Sequence, residues 1–122
     1  MKKGTALFLA LLFVISGCVS APPLQLSDGA SSVLVAKSDP GDNYEMIGPV
    51  SGLDGQGCGG FGYLSTYERA TTSLRNRTYE MGGDYAQIIS LTEPHLRGDC
   101  FDNDYVIRAT AYKKYEANRP LF

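Results

Sequence analysis

The sequence predicts an α+β domain: a small mixed β-sheet in the order β-β-α-β-β, one helix packed across it, and one disulfide. Three observations carry this expectation. Two short apolar runs precede a glycine-rich stretch, a single segment starting at Tyr67 has helical periodicity, and two alternating stretches follow it.

The first run, Val33, Leu34, Val35 and Ala36, is partly β-branched and ends at the turn residues Asp39-Pro40-Gly41-Asp42. Residues 44–50 form the second run and would complete a hairpin with the first. Pro49 within it lacks a backbone N–H, which assigns the segment to an edge strand or an early strand end. In residues 52–62, six of eleven positions are glycine, so this stretch buries little and reads as a loop. Ser65-Thr66-Tyr67-Glu68 then has the spacing of a capping box, with Ser65 as the cap. Along the helix that follows, Tyr67, Ala70, Leu74 and Met81 share a face, and Gly82-Gly83 supplies a left-handed stop. Residues 85–91 and 105–112 alternate as strands, the second with Tyr105, Ile107, Ala109 and Ala111 on one face. Residues 92–104 between them read as a polar loop.

The start of the chain is an address. Lys2 and Lys3 precede an apolar run over residues 6–15, and Ile15-Ser16-Gly17-Cys18 fits a bacterial lipobox. The run falls short of the roughly 20 apolar residues that a spanning helix needs. Residues 1–17 are therefore expected to be removed as a signal peptide and Cys18 to be acylated, anchoring the protein to a membrane. Residues 18–31 would be the lipidated cysteine and a short tether with Pro22, Pro23 and Gly29, residues 32–115 the domain, and residues 116–122 a loose tail. Val19 stands where the retention signal of inner-membrane lipoproteins has aspartate, so the expected location is the outer membrane, with the domain facing the periplasm.

Charge excludes one class of partner. Once Lys2 and Lys3 are removed, nine basic residues face thirteen acidic ones, a net of −4, and the cations are scattered. A nucleic-acid binder would need a basic stripe. With Cys18 assigned to lipid, Cys58 and Cys100 remain as an even pair in an oxidising compartment, which predicts a disulfide. The competing reading, free or metal-bound thiols, suffers because zinc needs four ligands and only His95 is left to help.

The order of several segments resembles one family. The lipobox, Ile47-Gly48-Pro49-Val50-Ser51-Gly52 with a cysteine soon after, the helix running into Met81-Gly82-Gly83-Asp84-Tyr85-Ala86-Gln87-Ile88, and Gly98-Asp99-Cys100 occur in this order. In this the chain resembles the RcsF-like outer-membrane lipoproteins, and more closely their relatives known only as lipoprotein domains of unknown function, over about residues 33–112. The family's stress sensor carries two disulfides. The resemblance implies that Cys58 and Cys100 form one of them, and that Leu91 and Val106 stand at the positions of the other, in apolar contact. It also implies a role in stress sensing or signalling. Residues 19–31, however, have neither the length nor the basic residues of the sensor's linker.

Catalytic and cofactor signatures are weak. Gly55, Gly57 and Gly60 fit G-x-G-x-x-G, but that motif should open a helix at once, and here the cap comes five residues later, so no dinucleotide is expected. The sole histidine, His95, has no nucleophile motif beside it and reads as an exposed loop residue. Asp99, Asp102 and Asp104 lack the glycine and closing glutamate of a calcium loop, so no metal is assigned. Phe61 and Tyr63, on the glycine loop, are the candidate partner contacts, since exposed aromatics anchor interfaces. The expected function is thus a non-enzymatic outer-membrane lipoprotein that binds another envelope component, with no small-molecule substrate and no cofactor. The alternatives are a structural or cell-wall-associated lipoprotein, and a weak small-ligand or cation binder.

Overall fold

A computed structural model describes residues 24–59 and 63–116. The signal segment, Cys18, Phe61 and residues 117–122 lie outside the described residues. The elements are a 3-10 turn (Ala30–Ser32), β1 (Leu34–Ala36), β2 (Tyr44–Asp54), α1 (Tyr67–Glu80), β3 (Tyr85–Thr92), β4 (His95–Arg97), β5 (Cys100–Asp102) and β6 (Tyr105–Lys114). Four strands form a mixed sheet in the order β1-β3-β6-β2, with α1 packed across one face, and β4-β5 is a separate hairpin. Among the described residues no helix is long and apolar enough to cross a membrane.

The predicted pairing of the first two strands is corrected. β1 runs parallel to β3, while β2 runs antiparallel to β6, so β1 and β2 occupy opposite edges. The Asp39-Pro40-Gly41-Asp42 turn does form, with the Gly41 amide donating to Asp39 Oδ1 at 2.8 Å. The connection of residues 37–43 is nevertheless long enough to cross the sheet. It passes over the face opposite α1, where the Tyr85 hydroxyl donates to the Ser38 carbonyl at 2.6 Å and the Tyr44, Tyr85 and Tyr112 rings cluster at 5.5 and 6.3 Å. β2 is an edge strand, as Pro49 requires.

Helix α1 starts one residue later than the capping box predicts. Thr66, rather than Ser65, is the N-cap, and its hydroxyl accepts from the Arg69 amide at 3.2 Å. At the other end Gly82 (φ 81°) donates to the Tyr79 carbonyl and Gly83 to the Thr78 carbonyl, the paired bonds of a left-handed cap. The buried stripe is Ala70, Leu74 and Thr78, whereas Tyr67 and Met81 are exposed. Tyr67 begins the helix and turns its ring edge-on to Tyr105, and Met81 lies past the last turn as the C-cap.

The core is Val50, Ala70, Leu74, Ala86, Ile107, Ala109 and Ala111, with Val35, Ile88 and Tyr105 against it. Three alanines and Gly52 keep the sheet surface low, so the helix sits close. A Cβ on Gly52 would fall 2.2 Å from the Ala70 carbonyl oxygen and 2.6 Å from Leu74 Cβ. The helix also covers the β2 edge: Arg77 Nη1 donates to the Ser51 carbonyl at 3.1 Å, and Ser73 Oγ accepts from the Leu53 amide at 3.2 Å.

The segment read as a tether is packed before the first strand begins. Ala30 is fully buried, the Ser27 amide donates to Asn76 Oδ1 at 2.8 Å, and Asn76 Nδ2 donates to the Gln25 carbonyl at 3.0 Å. Pro22 and Pro23 lie outside the described residues, and the serine and glycine of residues 24–31 did not signal that a helix side chain would hold the segment.

Candidate functional site

At the end of the sheet where β3 finishes and β6 begins, the glycine loop and the β4-β5 hairpin are fastened together. Cys58 and Cys100 are disulfide-bonded, with Cα atoms 5.6 Å apart, within the usual range for such a bond. Cys58 also bridges to Asp102 as a strand partner, the Gly59 amide donates to the Phe101 carbonyl at 3.1 Å, and the Asn103 amide donates to the Gly57 carbonyl at 3.1 Å. The loop therefore lies beside β5 as a short third strand. Gly55 (φ 139°) makes this approach possible, because a Cβ there would stand 2.6 Å from both the Asn103 carbonyl oxygen and Asp104 Oδ1.

Two of the three carboxylates of the 99–104 cluster, Asp102 and Asp104, are used internally, and Asp99 is exposed. Asp104 Oδ1 accepts from the Gly57 amide at 2.7 Å, and Asp102 Oδ1 accepts from the Asp104 amide at 3.0 Å. Asp102 Oδ2 stands 3.8 Å from Arg97 Nη1. Among the described residues no group of three or more histidine, cysteine or carboxylate side chains could hold a metal ion.

Asp54, at the end of β2, closes the other side of the loop. Its buried carboxylate accepts from the Thr66 amide at 2.9 Å and from Arg69 Nε at 3.0 Å. Burial alone would lower the pKa of the Arg69 guanidinium, but its bonds and charge contacts with Asp54 and Tyr63 raise it above the ordinary arginine value. The Tyr105 phenol is also pushed up, by burial first and then by the Glu93 carboxylate that its hydroxyl meets at 3.4 Å. Replacing Asp54 with alanine takes the partner from a helix-start amide and a charged contact from Arg69. The expected cost is about 2–3 kcal/mol, read as a lower urea midpoint. A shift below about 0.5 kcal/mol would mean that the loop is held without it.

Tyr63, a predicted contact residue, is half-buried. The Arg69 guanidinium lies 4.9 Å from its ring centroid, and its carbonyl accepts from the buried Asn103 Nδ2 at 2.8 Å. His95 is exposed on β4, its Nδ1 3.0 Å from the Glu93 carbonyl oxygen. The register pairs Leu91 with Ile107 and Thr92 with Val106, which puts Leu91 and Val106 on opposite faces of the sheet. The apolar contact implied between them is therefore not formed.

The residues that sequence reasoning missed are on the hairpin, inside the stretch read as a polar loop. The register sets Leu96 opposite Phe101 on one face, and His95 with Asp102 and Arg97 with Cys100 on the other. Leu96 is 76% exposed and Phe101 48%. The second face borders a polar cleft of about 340 Å³, lined by Thr92, His95, Arg97, Asp102, Asp104, Val106 and Arg108. Gly98-Asp99 was the available signal: a glycine-first pair between two extended trios, with Gly98 at φ 60°, is a two-residue hairpin turn. This end of the domain therefore offers a rigid apolar pair beside a polar cleft. No protein-family model matches the chain, and no curated protein matches it significantly.

Proposed function

We propose that this chain is a non-enzymatic lipoprotein of the bacterial outer membrane, anchored through Cys18 and facing the periplasm, which binds another envelope protein through its disulfide-fastened hairpin. The observation that carries the reading is the Leu96–Phe101 pair. Two large apolar side chains stand exposed on a hairpin of two three-residue strands, where burying them inside the domain was not required. Such a pair on a rigid support costs little ordering entropy when a partner covers it. Arg97 and Arg108 at the bordering cleft would supply the polar rim of the contact. The lipobox supports the anchor, and the resemblance to RcsF-like lipoproteins supports a role in reporting envelope stress.

The test is a photo-crosslinking residue placed at Leu96 or Phe101 in living cells, with Met46, exposed on β2, as the comparison site. A defined envelope protein joined at the hairpin sites and absent at Met46 is the expected result. The double change Leu96→Ser, Phe101→Ser is expected to remove the biological effect while moving stability by no more than about 1 kcal/mol, since both side chains are largely solvated. Equal adducts at all three sites, or none at the hairpin, would remove this surface from the proposal.

A further inference from the structure

The way Asn76 holds the chain limits how the domain can stand at a membrane. Its side-chain amide bonds the backbone on both sides of Leu26, donating to the Gln25 carbonyl and accepting from the Ser27 amide. One turn further along α1, the Tyr79 ring lies against Gly29, where a Cβ would come within 2.6 Å of it. Residues 25–30 are thus strapped to the outer flank of the helix, and only residues 19–24 separate Cys18 from the strap. From Cys18 to Gln25 that chain can span at most about 25 Å, against about 40 Å if it were free as far as the buried Ala30.

The strapped flank has its own chemistry. Leu24, Leu26 and Tyr79 are 39%, 37% and 45% exposed there, and residues 24–32 contain no lysine or arginine. Apolar side chains with a tyrosine, fixed at the root of a short leash, fit the boundary between headgroups and acyl chains, where amphipathic rings settle. A lipid surface is also the one partner that the leash delivers at high effective concentration.

We infer that the α1 flank formed by Leu24, Leu26 and Tyr79 rests on the lipid surface, which leaves the Leu96–Phe101 hairpin pointing away from it. This rests on the reading of Cys18 as acylated. The separation follows from the sheet: the chain leaving the strap joins it at Asp84, where the Leu34 amide donates to the Asp84 carbonyl, whereas the hairpin follows Thr92. The eight residues of β3 between these points span about 25 Å.

The chain has no tryptophan, so single substitutions give site-specific reporters. The acylated full chain would be reconstituted in phosphatidylethanolamine vesicles with minor phosphatidylglycerol and brominated acyl chains. Leu26→Trp or Tyr79→Trp would report on the flank and Leu96→Trp on the hairpin. The flank reporters are expected to be quenched at least about twofold more than the hairpin reporter, insensitively to salt because the contact is apolar. Asn76→Ala, which frees the strap, should bring the flank values down toward the hairpin value. Two flank positions guard against one substitution disturbing the fold. Equal quenching at flank and hairpin in a chain shown by mass to be acylated would overturn the inference alone. A Cys18 peptide without acyl mass would overturn the anchor and the inference with it.

Discussion

Replacing Gly52 with valine is expected to destabilise the domain by upwards of about 3 kcal/mol, more than half of its stability if that lies at the low end of the usual 5–15 kcal/mol. The obstacle is backbone: a first side-chain carbon would sit 2.2 Å from the Ala70 carbonyl oxygen and 2.9 Å from the Leu74 amide nitrogen. No rotamer change relieves a clash with a carbonyl inside a helix, so α1 would have to lift from the sheet. Lifting it uncovers Val50, Ile107, Ala109 and Ala111 together with Leu74. Gly52→Ala already introduces the offending carbon and should show much of the effect. Gly82→Ala provides the contrast, because there the φ of 81° is strained but nothing lies within 4 Å, and the cost should be nearer 1 kcal/mol. Urea melts followed by circular dichroism would rank the three. Finding Gly52→Ala as mild as Gly82→Ala would show that the helix can shift without losing its contacts.

Breaking the disulfide is expected to cost about 4 kcal/mol, the chain-entropy value for a closed loop of this length, the two cysteines being 42 positions apart. That loop contains the whole of α1 and β3. The loss should fall unevenly, since the Ala70–Leu74–Ile107 core does not touch the bond. Amides of Gly57, Gly59 and Asn103, which bind the glycine loop to β5 and the two residues after it, should lose hydrogen-exchange protection first. The double change Cys58→Ser, Cys100→Ser, compared with the oxidised chain by urea melting and exchange, tests both parts. A stability difference below about 1 kcal/mol would show that the hydrogen bonds hold this end without the sulfur bridge.

How far the sequence was legible follows from range. The helix was readable because caps and periodicity are local: Thr66 and Gly82 lie within a few residues of the groups they satisfy. The strands of residues 85–92 and 105–114 were readable for the same reason, alternation being a property of one segment. Pairing was not, because nothing in the Asp39-Pro40-Gly41-Asp42 turn states whether seven residues reverse the chain or cross a sheet. The outcome depends on β3, which arrives some fifty positions later to accept β1. The site was half legible: the cysteines announced the bond, but charged residues at 93, 97, 99, 102 and 104, with the polar His95 among them, masked a hairpin that sets Leu96 and Phe101 side by side on one face. The strap was illegible, since Asn76 looks like any polar helix residue until Gln25 and Ser27 are seen beside it.

The covered edge of β2 has a consequence for proteins held at a surface. An open strand edge is a row of unpaired amides and carbonyls that can add a strand from another copy, and anchoring raises the frequency of such meetings by confining molecules to two dimensions. Here Arg77 and Ser73 occupy the Ser51 carbonyl and the Leu53 amide, Pro49 offers no amide, and a shift in register between Met46 and Gly48 interrupts the ladder. The opposite edge, β1, is only three residues long. Neither side gives a neighbour a continuous template, so copies crowded on one membrane, as the proposed anchoring would have them, could collide sideways without growing into a fibre.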